Sequence, residues 1–259
     1  MRTEKDWRKP LTAPDARIAG GTHVGLVREN NEDAYALAAQ GPVLVVADGL
    51  GGLPAGEVAS ALAVDVVLAC ISGGLAGGDI SGKDMFEALL QRALHRAHEA
   101  VIEAQIASPN RSGMATALIA ACPHEDRLYL CHSGDVRAYL ARGRRIDQIS
   151  GDHSYVAMLV RSGRISPSAA RNHPRRNIVL QALGLERDFA PESGCVTLQA
   201  GDRVLLCSDG LWDAVDDNEI ATILGHSSAA GTAVEGLIDA ALAAGGPDNV
   251  TAAVYFHDH

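Results

Sequence analysis

Val43-Leu44-Val45-Val46-Ala47-Asp48-Gly49-Leu50 is an apolar run that ends on an acid, and the chain repeats the device as Val204-Leu205-Leu206-Cys207-Ser208-Asp209-Gly210-Leu211. Each run reads as a buried strand that delivers a carboxylate to its end, with a glycine behind it that permits a sharp turn or a close backbone approach. A single Asp-Gly pair is also an ordinary hairpin turn. Two of them, with further aspartates in similar settings at Asp135 and Asp248, point to a carboxylate cluster built for a hard cation.

Outward from these runs the sequence changes texture in blocks. Residues 18–25, 33–38 and 43–47 are strand-like and closely spaced, which predicts an antiparallel meander. Apolar residues then recur at helical spacing over 56–71 and 84–106, so two long helices are expected on either side of a glycine-rich 72–82 loop. Strands are predicted at 115–121, 127–132 and 136–141, the last pair joined by a tight turn through Ser133-Gly134-Asp135. Further strands are expected at 194–198, 203–208 and 249–256, with helices over 217–224 and 229–243. Residues 150–185 are polar, rich in Arg, Ser, Pro and His, and suit a surface flap over a site, with a short helix near 155–162. Strand clusters interrupted by helical blocks indicate an α+β layered architecture, two facing sheets with helices outside.

The 259 residues suffice for one substantial domain, taken as 16–259, preceded by a flexible N-terminal segment at 1–15. A net charge of −10 argues against nucleic acid as the main partner, because phosphate backbones are gripped by clustered Lys and Arg. Five cysteines without a Cys-x-x-Cys pair fit neither a disulfide framework nor a zinc site, and imply a reducing, cytoplasmic setting. The start lacks a signal-peptide core. The longest apolar stretch, Ala59 to Ile71, is interrupted by Asp65 and too short to span a bilayer, so no membrane association is expected.

The constellation that can carry chemistry is Arg28, Asp33, Asp48, Gly49, Asp135, Asp209 and Asp248. Mg²⁺ and Mn²⁺ prefer oxygen ligands, so a few aspartates from separate strand ends suffice for a paired site. Two such ions acidify a water held between them and set it in line with a phosphorus centre, while an arginine grips the phosphoryl oxygens. That combination reads as metal-assisted hydrolysis of a phosphate ester. Taken singly, Arg28 is also an ordinary surface arginine, Asp33 a turn cap and Asp135 turn chemistry.

Seven segments occur in a recognisable order: Gly25 to Ala34, Ala47 to Gly52, Gly56 to Ser60, Ser133 to Arg137, Gly151 to Ser154, Ser208 to Asp213 and Gly246 to Thr251. In register they resemble the metal-dependent protein phosphatases of type 2C (the PPM family), in their compact bacterial form, over nearly the whole chain. The resemblance implies a β-sandwich of two antiparallel sheets flanked by helices on both sides, a four-layer αββα arrangement with a variable flap. It implies a dinuclear Mn²⁺ or Mg²⁺ centre acting on phosphoserine and phosphothreonine. Asp48 would bridge both ions, Gly49 would offer its carbonyl, Asp209 and Asp248 would complete the first ion's shell, and Asp135 with Asp209 would hold a third, weaker metal. Arg28 matches the phosphate-gripping arginine and Asp33 the acid that orients the attacking water.

Two positions depart from that pattern. Leu53 stands where the bacterial pattern usually places a histidine proposed to protonate the leaving alkoxide, and Val136 replaces the serine of Gly-Asp-Ser-Arg. A leucine transfers no proton, which leaves a metal-activated water, His153, or slow turnover of poor leaving groups. His132 and His23 read as satisfied structural histidines. Alternative functions are a catalytically silent relative that binds phosphoproteins and a hydrolase of small phosphate esters. The expected partners are phosphorylated proteins and a cognate Ser/Thr kinase, with the chain itself a monomer.

Overall fold

The two runs that end in Asp-Gly are apolar throughout because both faces of each strand are covered, the condition under which alternation disappears from a strand sequence. In a computed structural model, which describes residues 11–12, 17–38, 42–78, 80, 82–185 and 189–258, these runs lie in two different sheets. One sheet orders its strands β1 (Leu11–Thr12), β2 (Ile18–His23), β11 (Val250–His257), β10 (Asp202–Cys207), β7 (Arg137–Arg142) and β8 (Arg145–Gln148). The other orders β3 (Asp33–Ala38), β4 (Val43–Gly49), β5 (Thr116–His124), β6 (Arg127–Ser133) and β9 (Glu192–Thr197). Every strand pairing among the described residues is antiparallel.

The period of two along each strand sorts the core into three slabs. Leu44, Val46, Ile119, Leu130, Val204 and Leu206 meet between the sheets. Val43, Val45 and Ala47 face the other way, onto α1 (Gly56–Ala76) and α2 (Lys83–Ala107). Leu205, Cys207, Ala252 and Val254 face α6 (Asp217–His226) and α7 (Ala230–Ala243). The result is the four-layer αββα sandwich, with each buried Val or Leu side chain contributing about 1.5–3 kcal/mol. Residues 150–185 cap one end, carrying α3 (Tyr155–Arg161) and α4 (Pro167–Arg171).

Several local expectations are corrected. β2 does not join β3 and β4 in a meander, and β6 does not pair with β7; in both places the chain crosses from one sheet to the other. Those crossings carry Arg28 and Asp135, so a turn within one sheet would have misplaced both. Helix α1 runs through Gly73 and Gly74 to Ala76, shortening the expected loop. At 21 residues it is long and apolar enough to cross a membrane by length and composition, contrary to expectation. Here it lies on the sandwich with Ala59, Ala63, Val64, Val67 and Ile71 buried and with Glu57 and Asp65 exposed. Strand β8, helix α4 and the one-turn helix α5 (Asp209–Trp212) were not anticipated. The flexible segment expected at 1–15 lies outside the described residues except for Leu11 and Thr12, which pair with Gly20 and Ala19.

Candidate metal centre

Antiparallel register sets Asp33, the first residue of β3, directly opposite Asp48 near the end of β4. From the facing sheet, β10 stops at Cys207 and Asp209 opens α5, while Asp248 lies two residues before the final strand. Ser208 stitches the two sheets together: its Oγ donates to Asp33 Oδ2 at 2.6 Å and accepts from the Thr251 amide at 3.0 Å. Asn249 does the same for the loop that carries Arg28. Its side-chain amide donates to the carbonyls of Val24 and Asn30, both at 2.9 Å, and its Oδ1 accepts from the Glu32 amide at 2.8 Å.

The two repeated glycines have one purpose, close approach. A Cβ on Gly49 would lie 2.6 Å from the Gly56 carbonyl, and one on Gly210 would lie 2.0 Å from the Asn249 oxygen. Neither position admits a side chain. The Asp48 carbonyl accepts from Thr116 Oγ1 at 2.8 Å, which fixes the strand end that carries both Asp48 and Gly49.

Asp48, Asp135, Asp209 and Asp248 form the floor of a cavity of about 620 Å³, with Leu50, Leu53, Ile178 and Leu185 in its walls. Arg28 lies across its mouth, donating to Asp248 at 2.7 Å and passing beside Gly51. That hydrogen bond holds the Arg28 guanidinium above its ordinary pKa. Burial pushes the Asp33 carboxyl up to about 6 against its bonds from Ser208 and Thr251. Asp135 is likewise pushed up to about 6, by burial and then by Asp152. Asp48 and Asp209 are driven well above the carboxylate range, by burial first and then by the charges of the other aspartates. Glu32, on which sequence reasoning places no role, lines the same cavity and is raised by burial and by Glu57.

Carboxylates crowded out of water in this way must take up protons or a cation. The donors are all oxygens, from aspartates and a backbone carbonyl, without a thiolate or imidazole on the floor. This is the donor set of a hard divalent ion, so the residues present fit such a metal.

Comparison with known proteins agrees. Residues 21–242 match the family model described as protein phosphatase 2C. The chain belongs to the protein phosphatase 2C family. It is 42% identical over 239 residues to the serine/threonine protein phosphatase PstP of Mycobacterium tuberculosis, covering 92% of this chain and 44% of that protein. It therefore spans less than half the length of that relative. With the serine/threonine phosphatase stp of Listeria monocytogenes it shares 34% identity over 233 residues, 89% of this chain and 91% of the relative. Its structure superimposes on the PstP catalytic domain solved in complex with two manganese ions with a TM-score of 0.79 at 35% identity, over 94% of this chain and 98% of that one.

Within this phosphatase 2C frame the departures find their places. Leu53 sits half-buried in the cavity wall. His153 does not replace it: its Nδ1 accepts from the Gly134 amide at 3.3 Å and its Nε2 meets Glu192 at 3.2 Å, and it does not line the cavity. It positions the chain next to Asp135 instead. His132 stacks on His153 with ring centroids 4.8 Å apart, and both its ring nitrogens are buried without a partner among the described residues, so the expectation of a satisfied histidine fails. Burial lowers its pKa to about 4 and keeps it neutral. His23 is satisfied, accepting from the Gly25 amide at 2.9 Å. Val136 packs into the core between the sheets.

Sequence reasoning also misses the scaffold of the site. Ser208, Thr251, Asn249 and Trp212 all fall inside the quoted motifs, and a polar residue beside an aspartate at the end of an unbroken apolar run was the available signal for Ser208. Trp212 donates to the Asp135 carbonyl at 3.1 Å and is covered by the Arg137 guanidinium, 3.5 Å from the ring centroid. Arg137 in turn forks onto Asp152 with bonds of 3.0 and 2.7 Å.

Proposed function

We propose that this chain hydrolyses phosphoserine and phosphothreonine on proteins with the help of two divalent ions, Mn²⁺ or Mg²⁺. Asp48, the Gly49 carbonyl, Asp209 and Asp248 would hold them, and Asp135 with Asp209 would hold a third, weaker ion. The observation that carries this reading is the convergence of aspartates from both sheets, Asp48 and Asp209 driven up by burial first and then by the charges of their neighbours, beneath an arginine at the cavity mouth. When bound, the ions would acidify a water to serve as nucleophile and neutralise charge on the phosphoryl group. Arg28 would orient the phosphoryl oxygens through its planar donors. Asp33, fixed by Ser208, would orient the attacking water from beneath. The domain is taken as 16–259 acting as a monomer in the cytoplasm, opposing a Ser/Thr kinase; the five free cysteines support the reducing setting.

The test is release of phosphate from a phosphothreonine peptide and from para-nitrophenyl phosphate, with Mn²⁺ and with a chelator. Metal-dependent turnover of both is expected. Leu53 in the cavity wall favours one competing reading, a relative that binds phosphoproteins without turning them over. Peptide binding without hydrolysis of either compound at any pH would establish that alternative.

A further inference from the structure

The flap is a basic island on an acidic protein. Residues 150–185 carry five arginines and one acid, Asp152, a formal +4 in a chain of −10, so the remainder carries −14. Three of those arginines, Arg171, Arg175 and Arg176, line a depression of about 700 Å³ together with His173 and Asp213. This depression shares Asn177 and Ile178 with the cavity above the aspartates, so the two are continuous.

Hydrogen bonds of its own backbone fix the shape of the loop. The Arg176 amide donates to the His173 carbonyl at 3.0 Å, the Arg175 amide to His173 Nδ1 at 3.1 Å, and the Leu180 amide to the His153 carbonyl at 2.7 Å. Arg176 is spent on Asp213, 2.5 Å away, which ties the loop to the end of α5. Arg175 lies 5.7 Å from the Tyr155 ring centroid. Arg171 and Arg175 are exposed and form no ion pair among the described residues. Two arginines with unused planar donors thus stand beside the cavity, the donor geometry that suits a carboxylate or a phosphate.

Resting on the function proposed above, we propose that the 171–176 loop is an anion subsite. Preferred substrates carry a second anionic side chain, a carboxylate or a phosphate, within about three residues of the phosphoryl group that is removed, the reach of a short extended peptide. The net negative charge of the remainder disfavours such a segment elsewhere, so the flap would set the direction in which the peptide lies.

The test uses peptides that differ only in flank: neutral, Asp/Glu-containing, or bearing a second phosphothreonine. The wild-type protein is expected to show kcat/KM about tenfold higher on the anionic peptides, as one added charge-assisted pair would give. The gain should reside in KM and shrink with salt. Arg171→Ala with Arg175→Ala should erase it while leaving para-nitrophenyl phosphate hydrolysis unchanged. A gain for the doubly phosphorylated peptide alone would assign the subsite to phosphate, and a gain for both to anions in general. Equal kcat/KM for neutral and anionic flanks overturns the proposal, as does an equal fall on every substrate in the double variant. If nothing is hydrolysed, including para-nitrophenyl phosphate, the proposed activity fails and the subsite is judged by fluorescence anisotropy. Tighter binding of the anionic peptides then supports it and equal binding overturns it.

Discussion

The floor of the cavity is enclosed and acidic and is stitched across the whole chain, whereas the 173–178 loop at its rim is exposed and basic and is shaped largely by short-range bonds. Ser208 reaches Asp33 across 175 positions and Arg28 reaches Asp248 across 220. The 173–178 loop is shaped by bonds between residues two and three apart. The difference separates two tasks. The acidity of the floor is inseparable from the sandwich, because removing a supporting strand removes a carboxylate. Arginines on the flap can change without disturbing either sheet.

The largest effect should follow from uncharging the floor. Asp48→Asn or Asp209→Asn keeps shape and removes a charge that burial and the neighbouring aspartates oppose. Turnover is expected to fall by about 10²–10³-fold, the scale on which enzymes lose a central electrostatic contact. The metal-free protein should melt at the same or a higher temperature, since a buried repulsion is relieved. Unaltered rates, or a marked loss of metal-free stability, would contradict the role given to the floor.

Arg28→Ala comes next, with KM expected to rise about 10- to 100-fold and kcat to change less, because a phosphate grip binds ground state and transition state alike. Arg28 belongs to the floor through Asp248 and to the rim through its exposure, so a fall confined to kcat would move it wholly into the chemistry of the floor.

A third expectation concerns pH. Asp33 and Asp135 titrate near 6 in the folded chain, above the ordinary carboxylate value near 3.9. Their protonated forms are favoured by the fold, so the stability they contribute is present below about pH 4 and lost as pH rises through about 6. Metal reverses that loss by supplying positive charge. The gain in melting temperature on adding Mn²⁺ should therefore be larger at pH 7.5 than at pH 5, by about 4 °C or more. Equal gains at both would mean that the aspartates are not the groups that meet the ion.

Much of the floor was legible because strands buried on both faces leave an unmistakable apolar run, and an acid closing such a run has few structural uses. Asp48 and Asp209 stood out for that reason. The assignment of strands to sheets was not legible: the crossings at Arg28 and Asp135 look like ordinary turns, since proximity in sequence favours neighbours in one sheet and only the packing of the helices decides otherwise. Glycines at 73 and 74 suggested a loop, but tertiary contact with the sandwich outweighed their helix propensity. The hydrogen bonds of Ser208 and Asn249 depend on partners about 200 positions away, which no local pattern encodes.

The smallest expected effect lies where floor meets wall. Leu53 lines the cavity and offers no proton, so an alkyl leaving group would find no acid at this position, while an aryl leaving group such as para-nitrophenolate needs little help. Leu53→His should raise kcat on a phosphothreonine peptide severalfold, less than the 10²–10⁴ of an evolved acid, because nothing nearby has been shaped to orient the ring. The rate on para-nitrophenyl phosphate should stay constant. The gain should fade as pH rises above about 7, where an imidazole no longer carries the proton. An equal rise on both substrates would show that the histidine acts on binding or on the ions, and that the wall was never short of an acid.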